Sequence, residues 1–288
     1  MKQVAIIGAG AVGSIILHLI KDNKQFNIDI FATEHRDVII EKDNILMPTG
    51  YKTKVLSEAN KQYDIILITT KAFMNDTIMP SINSMTHENT NIIICQNGYS
   101  QNERFNHPNV FHAAVYISGQ KKPDKVVYFR DNKLVLPINE QTKVIQSLFS
   151  NTQLDITLAI DYFTQIWYKL LVNLGINSMT ALTKNTVQIQ KVPEIKQLMI
   201  KVLQEGIMVA NAEQQHFNEK TIEQILNIYA GYPDHMGTSM YYDTLNQSPT
   251  EYEFIQGYIY DRARYHQLTT PTLDIVYALL KGYQYNRN

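Results

Sequence analysis

Two rhythms of apolar and polar positions run along this chain, and the change between them falls near residue 161. In the first half, short apolar runs stand between polar tips. Val4–Ile7, Ile28–Phe31, Tyr63–Thr69 and Asn91–Cys95 are nearly continuous apolar stretches of strand length. Such runs mark strands covered on both faces in a parallel sheet. Val110–Ser118 predicts a further strand. Lys125–Arg130 and Lys133–Ile138 predict two more, joined across Asp131-Asn132 as an antiparallel hairpin. Beyond Asp161 the strand signals stop. Tyr162–Leu182, Glu194–Ala212, Glu219–Ala230, Thr250–His266 and Thr272–Tyr283 carry helical periodicity instead. The pattern predicts two domains, residues 1–163 and 164–288, with a short join that should leave a cleft for a substrate.

The first apolar run feeds directly into Gly8-Ala9-Gly10-Ala11-Val12-Gly13, and an apolar helical pattern follows from Ser14 to Ile20. Strand, tight glycine turn and helix, in that order, suit a dinucleotide pyrophosphate. Gly8 makes the turn, Gly10 lets the backbone approach the phosphates, and Gly13 lets the helix lie close on the strand. The helix N-terminus offers unpaired N–H groups and a partial positive charge. Gly8, Gly10, Ala11, Val12 and Gly13 are therefore the candidate cofactor loop. The expected fold class is α/β: an N-terminal Rossmann-type dinucleotide-binding domain followed by an all-helical substrate and catalytic domain. Ligands in open parallel sheets lie beyond the carboxyl ends of the strands. The polar tips Thr70-Lys71 and Gln96-Asn97 should line the cofactor cleft.

Composition narrows the function further. Lys2 followed by about eighteen uncharged residues could start a signal peptide or a membrane span, but three glycines within six residues interrupt either one. The chain reads as a soluble, cytoplasmic protein. A net charge of −1 over 288 residues, with no Lys/Arg-rich block, argues against a nucleic-acid surface. The single cysteine, Cys95, excludes an internal disulfide framework and a thiolate zinc site. The eight histidines lack metal-ligand spacing, so no metal is expected.

The stretch Gln165–Ala181 carries the second informative pattern. Lys169, Asn173 and Asn177 are spaced i, i+4, i+8 and share one helix face. A solvent face would carry charges, yet none occurs between Leu170 and Thr183, and Gly175 weakens the helix by about 1 kcal/mol relative to Ala. A narrow amide stripe in an apolar helix is expected to be buried, where each unpaired polar group costs roughly 1–3 kcal/mol, so a ligand should face it. Lys169 at its head suits a general acid whose pKa is lowered toward the working pH. Further on, Ser248-Pro249-Thr250-Glu251 fits a capping box, with Ser248 as N-cap, and that is the better reading of Glu251 from its spacing alone.

Taken together, the G-A-G-A-V-G loop, Thr70-Lys71-Ala72, Gln96-Asn97-Gly98, the helix Trp167–Asn177, Thr238-Ser239-Met240 and Thr250–Gly257 resemble ketopantoate reductase. The motifs follow the family's order over nearly the whole chain, and the lysine-asparagine helix is the most specific of them. The resemblance implies a 2-dehydropantoate 2-reductase that uses NADPH to make pantoate for pantothenate and coenzyme A. It implies that Lys169 gives a proton to the C2 oxygen as hydride arrives, and that Glu251 binds this lysine and the substrate hydroxyl. It further implies that Asn173 and Asn177 hold the hydroxyl and neighbouring groups, and that Ser239 grips the carboxylate. Asn97 and Lys71 match residues near the nicotinamide ribose and the reacting centre. Domain closure would keep the chemistry dry.

Two departures from the family pattern stand out. The arginine often found just after the second strand, where it meets the 2′-phosphate of NADPH, is replaced by Thr33, with Glu34 beside it and Arg36 beyond. An acidic residue about twenty positions after the last glycine ordinarily favours NAD; the expectation remains NADPH, with Arg36 or His35 as substitute. A further substrate asparagine of some members falls near Val187, with Asn185 only a neighbour. The rival readings are a reductase of another 2-keto acid and a non-catalytic NAD(P)-binding sensor, which would not need Lys169 with both amides. The tyrosines and methionines of the helical half fit core or a homodimer surface, with core as the default.

Overall fold

In the computed structural model, which describes residues 1–99 and 102–285, the chain divides into two compact units, Met1–Phe163 and Thr164–Asn288. The strands of the first unit, in chain order, begin with β1 (Lys2–Ile7), β2 (Phe26–Ala32), β3 (Asp37–Lys42), β4 (Ile45–Lys52) and β5 (Lys54–Val55). They continue with β6 (Ile65–Ile68), β7 (Asn91–Ile94), β8 (Val110–His112), β9 (Ala114–Lys121), β10 (Val126–Pro137) and β11 (Asp155–Ala159). Six of them form a parallel sheet in the order β5-β2-β1-β6-β7-β8. The chain winds outward from β1 in both directions, so the strand order reverses between β1 and β6. Ligands of such sheets bind beyond the strand ends at that switch point. The α/β fold with a Rossmann-type first unit is the one expected.

The apolar runs earn their place by burial. Val4, Ala5, Ile6, Ile65, Ile66 and Leu67 are fully enclosed, because the two faces of the sheet feed two separate cores. One core receives Val4 and Ile6 and packs them against α1 (Ala11–Ile20); the other receives Ala5 and Ile7 with Ile78 and Ile82 of α2 (Asn75–Met85). A second sheet, β11-β10-β3-β4 with β9 on β10, shares the first core; α3 (Glu140–Phe149) packs on β11.

Two local expectations are overturned in this unit, and one hairpin is added. The stretch Val110–Ser118 is two strands in two sheets, β8 and β9, with Ala113 buried between them. Lys125–Arg130 and Lys133–Ile138 are one strand, β10, whose antiparallel partner is β9. Only Asp131 takes a positive φ, +64°, and the register slips on either side of Arg130. One left-handed residue bends a strand into a bulge, whereas a two-residue type I′ reversal has both central positions left-handed. That reversal occurs at Asp43-Asn44, φ +52° and +62°, joining β3 to β4, a hairpin the apolar pattern did not reveal.

The second unit is helical: α4 (Tyr162–Thr183, begun two residues earlier), α5 (Pro193–Ala212), α6 (Glu219–Ala230), α7 (Ser239–Leu245), α8 (Gln256–Tyr265) and α9 (Pro271–Gln284). Pro193 and Pro271 occupy first-turn positions, where a missing N–H costs nothing. Gly175 is explained by Tyr229, whose hydroxyl donates to the Val172 carbonyl at 2.6 Å. A Cβ at Gly175 would stand 2.5 Å from that oxygen. Gly206 of α5 likewise meets Leu171 and Leu174 of α4. The capping box at Ser248 is absent: residues 248–251 are not helical, a single 3-10 turn spans Tyr252–Phe254, and α8 starts at Gln256. The Glu251 side chain makes no cap bond and is buried instead.

Candidate active site

Each unit contributes its own set of candidate groups. In the first, the glycine turn is fixed by close packing. Gly8 has φ +109°, and a Cβ there would lie 2.8 Å from the Thr70 nitrogen. A Cβ on Gly13 would collide with the Gly8 carbonyl and the Thr69 hydroxyl. That hydroxyl donates to the Gly8 carbonyl at 2.6 Å, so β6 clamps the turn from the side. Gly10 differs: no atom lies within 4 Å of its missing Cβ, which leaves room for a phosphate to approach the backbone ahead of α1. A cradle of that shape, tight behind and open in front, fits a dinucleotide pyrophosphate. Ala11 and Val12 open α1 and are half-buried.

Beyond β6 and β7 the chain is held by a buried amide pair. Asn75 Nδ2 donates to Gln96 Oε1 at 3.0 Å, and Gln96 Nε2 donates back to Asn75 Oδ1 at 2.7 Å and to the Thr70 hydroxyl at 3.2 Å. These bonds join the tips of both strands, and the neighbouring Lys71 and Asn97 are half-buried. Asn75 escaped the sequence reading; an amide opening a helix one turn after T-K-A was the available signal.

Of the two substitutes for the missing arginine, Arg36 reaches the loop and His35 does not. Arg36 Nη2 donates to the Ala9 carbonyl at 2.6 Å. His35 turns to the Thr53 carbonyl at 2.9 Å and Glu58 at 3.0 Å, and those two partners hold its imidazole above the ordinary histidine range. Thr33 and Glu34 are exposed.

In the second unit, Lys169 and Asn173 are half-buried on α4 and Asn177 is only 4% exposed, so the stripe is no solvent face. One residue along, Ser178 accepts a hydrogen bond from Gln256 Nε2 at 2.9 Å, and Thr180 meets the Thr238 hydroxyl at 2.8 Å. Thr238 also caps α7 by accepting from the Tyr241 nitrogen at 3.1 Å. A buried polar seam thus fastens α4 to the starts of α7 and α8, and none of its members was singled out from the sequence as a positioning group. Ser239 is exposed at the first position of α7, and Glu251 is 4% exposed. Asn185 spends its carbonyl on the Thr186 nitrogen and the Gln188 amide, while Val187 is fully buried. No His/Cys/Asp/Glu cluster fit for a metal occurs among the described residues, and no described helix is long and apolar enough to cross a membrane.

Comparison with known proteins assigns the family. The profile described as ketopantoate reductase PanE/ApbA matches residues 4–136, and its C-terminal counterpart matches residues 161–284. A 2-dehydropantoate 2-reductase of Mycobacterium tuberculosis is 26% identical over 286 residues, covering 96% of both chains. A dimeric ketopantoate reductase from Staphylococcus aureus is 42% identical, with TM-score 0.93 over 99% of this chain and 100% of that one. A D-mandelate dehydrogenase solved with NADH and anilino(oxo)acetate shares the fold at 19% identity, with TM-score 0.86 over 99% of both chains. The chain, an oxidoreductase, belongs to the ketopantoate reductase family.

Proposed function

We propose that this protein reduces the C2 ketone of 2-dehydropantoate to the alcohol of pantoate with NADPH, feeding pantothenate and coenzyme A synthesis in the cytoplasm. The observation that carries the reading is the Lys169-Asn173-Asn177 stripe, half-buried at Lys169 and Asn173 and buried at Asn177 on an apolar helix. The names of the curated relatives and of the 42% identical Staphylococcus aureus structure support the substrate. Bound NADPH supplies the hydride that adds to C2. Lys169 delivers the proton to the C2 oxygen as that oxygen turns anionic, the task a cationic amine performs best in a water-poor setting. Glu251, buried and acidic, orients the amine and accepts a hydrogen bond from the substrate hydroxyl. The Asn173 and Asn177 amides can both donate and accept, which suits a hydroxyl and its neighbouring groups. Ser239 donates to the carboxylate. In the first unit, Gly8, Gly10, Ala11, Val12 and Gly13 hold the pyrophosphate, Arg36 the adenosine end, and Lys71 and Asn97 the nicotinamide side. The dimeric state of the Staphylococcus aureus relative supports a homodimer, which sedimentation of the purified protein tests.

Lys169→Ala should lower kcat by roughly two to four orders of magnitude, the usual size for a lost general acid, with unchanged melting temperature and NADPH affinity. An unaltered rate would remove the mechanism. Comparing ketopantoate with simpler 2-keto acids on the unmodified protein tests the substrate, and dinucleotide binding without any turnover would mark a sensor.

A further inference from the structure

The first unit places a second cation beside Arg36. The β9–β10 hairpin closes over Lys122–Lys125, where the Lys122 nitrogen donates to the Lys125 carbonyl at 2.8 Å, and Lys121 ends β9 opposite Val126. This hairpin cannot drift from the glycine turn. Gly119 of β9 lies so close to α1 that a Cβ would stand 2.5 Å from Ile15 Cδ1 and 2.7 Å from the Val127 carbonyl. One surface pocket is accordingly lined by Ala9 of the turn, Ser14 of α1, Arg36, Lys121 and Lys122.

The charges around that pocket do not balance: four cations line it, Arg36, Lys121, Lys122 and Lys125, against two carboxylates, Asp37 and Asp124. Lys125 is spent on Glu41, and Asp37 leans toward Lys52 at 3.8 Å. Neither Arg36 nor Lys121 is ion-paired among the described residues; Arg36 gives one N–H to the Ala9 carbonyl and keeps its other donors. Although Lys121 is exposed as a residue, partial desolvation of its amine, followed by the like charge of Arg36, holds it below the ordinary lysine range. Glu34 acts in the opposite sense. Two like charges facing one pocket repel until a doubly charged anion joins them. The anion must sit next to the glycine turn, which the proposed function gives to the dinucleotide pyrophosphate.

We propose that Lys121 and Arg36 together seat the 2′-phosphate of NADPH, with Lys121 the specificity residue that replaces the arginine missing at Thr33. This rests on the NADPH reading above. Lys121 also accounts for Glu34: a carboxylate that would favour a free ribose hydroxyl lies in the field of a cation that offsets it. The phosphomonoester is thus recognised from two segments of the second sheet, by Arg36 ahead of β3 and by Lys121 at the end of β9.

Calorimetric titration of the full-length protein with NADP⁺ and NAD⁺ tests this without turnover. The unmodified protein should bind NADP⁺ more tightly. Lys121→Gln should weaken NADP⁺ by about tenfold or more, the usual loss for a hydrogen bond to a charged group, while NAD⁺ stays within about twofold. Lys121→Arg should restore most of the difference. Adenosine 2′,5′-bisphosphate and adenosine 5′-phosphate should repeat the pattern without the nicotinamide. Equal weakening of both dinucleotides, or of neither, overturns the role of Lys121 while leaving the NADPH reading intact. Equal binding of both by the unmodified protein overturns that reading and this inference with it. Loss of inorganic phosphate binding in Lys121→Gln, with NADP⁺ unaffected, would show a free-anion site and also overturn it.

Discussion

The glycine turn of the first unit and the amide stripe of the second are built from opposite materials. The turn works by what is missing: Gly8 and Gly13 lack the Cβ that would strike Thr70, Thr69 or the turn's own carbonyl, and Gly10 lacks one that would stand in open space. The stripe works by what is added, three polar heads on a largely apolar helix. A site made of absences is sensitive to any added atom and indifferent to which functional group is brought. A site made of side-chain heads tolerates truncation of its shape and fails only in its chemistry. Changes in the first unit should therefore register as lost packing or lost binding, and changes in the second as lost rate or lost substrate affinity.

The largest effect expected from that contrast lies within the turn itself. Gly13→Val forces a side chain onto the Gly8 carbonyl and the Thr69 hydroxyl, both held by the sheet, and should cost about 3 kcal/mol or more in denaturant unfolding. Gly10→Val meets no neighbour, its φ of −76° is open to any residue, and it should melt with the unmodified protein. Its dinucleotide binding should nevertheless be lost, because the valine fills the space a phosphate needs. Two valines three residues apart, one destabilising and one silent until cofactor is added, would sharpen the contrast; normal NADP⁺ binding by Gly10→Val would break it.

The first unit also contains a side-chain cluster away from the turn, which asks whether side chains there serve stability alone. Asp29 on β2 receives Lys54 at 2.6 Å, Lys61 at 2.8 Å and the Tyr63 hydroxyl at 2.8 Å. Burial by itself would raise the pKa of this carboxyl, but the Lys54, Lys61 and Tyr63 hydrogen bonds outweigh it and hold the group below its ordinary 3.8. A depressed carboxylate contributes stability that is complete above the unfolded value and is lost as pH falls through the folded one. Asp29→Asn should cost about 2–3 kcal/mol at neutral pH, below the range for a fully buried pair because both lysines reach water. The cost should shrink as the pH is taken below 3.8, and kcat should stay unchanged. A melting curve series against pH reads the first, and a lowered kcat would contradict the division of labour.

What the sequence disclosed follows the same line. Fully buried strands must be apolar throughout, so β1, β6 and β7 were legible, and so was a glycine turn in which positions 8 and 13 leave no other residue a place. The long helices α4 to α6 and α9 were legible within two residues at each end, because one face of each is apolar at helical spacing. The β3–β4 hairpin was not, since half its positions are exposed and its Asp43-Asn44 turn uses the same dipeptide as the bulge at Asp131-Asn132. Glu251 misled for a related reason: Ser-Pro-Thr-Glu satisfies the capping pattern, but burial of Thr250 and Glu251 holds those residues out of the helix. The Asn75–Gln96 pair and the Ser178–Gln256 bond join residues 21 and 78 positions apart, separations at which local pattern carries no information.

The smallest effect separates two neighbours at the start of α7. Thr238 caps the helix and pairs with Thr180, whereas Ser239 is exposed at the first helical position. Ser239→Ala should therefore change stability by less than about 0.5 kcal/mol. It should raise KM for ketopantoate about tenfold, the lower end for a lost hydrogen bond to a charged group, with kcat and NADPH affinity nearly constant. Thr238→Ala should show the reverse, about 1 kcal/mol of stability lost with the missing cap. Its KM should change less, because α7 can shift without losing the serine hydroxyl. If Ser239→Ala alters cofactor affinity and leaves KM alone, the carboxylate is gripped elsewhere and the second unit's chemistry is confined to α4 and Glu251.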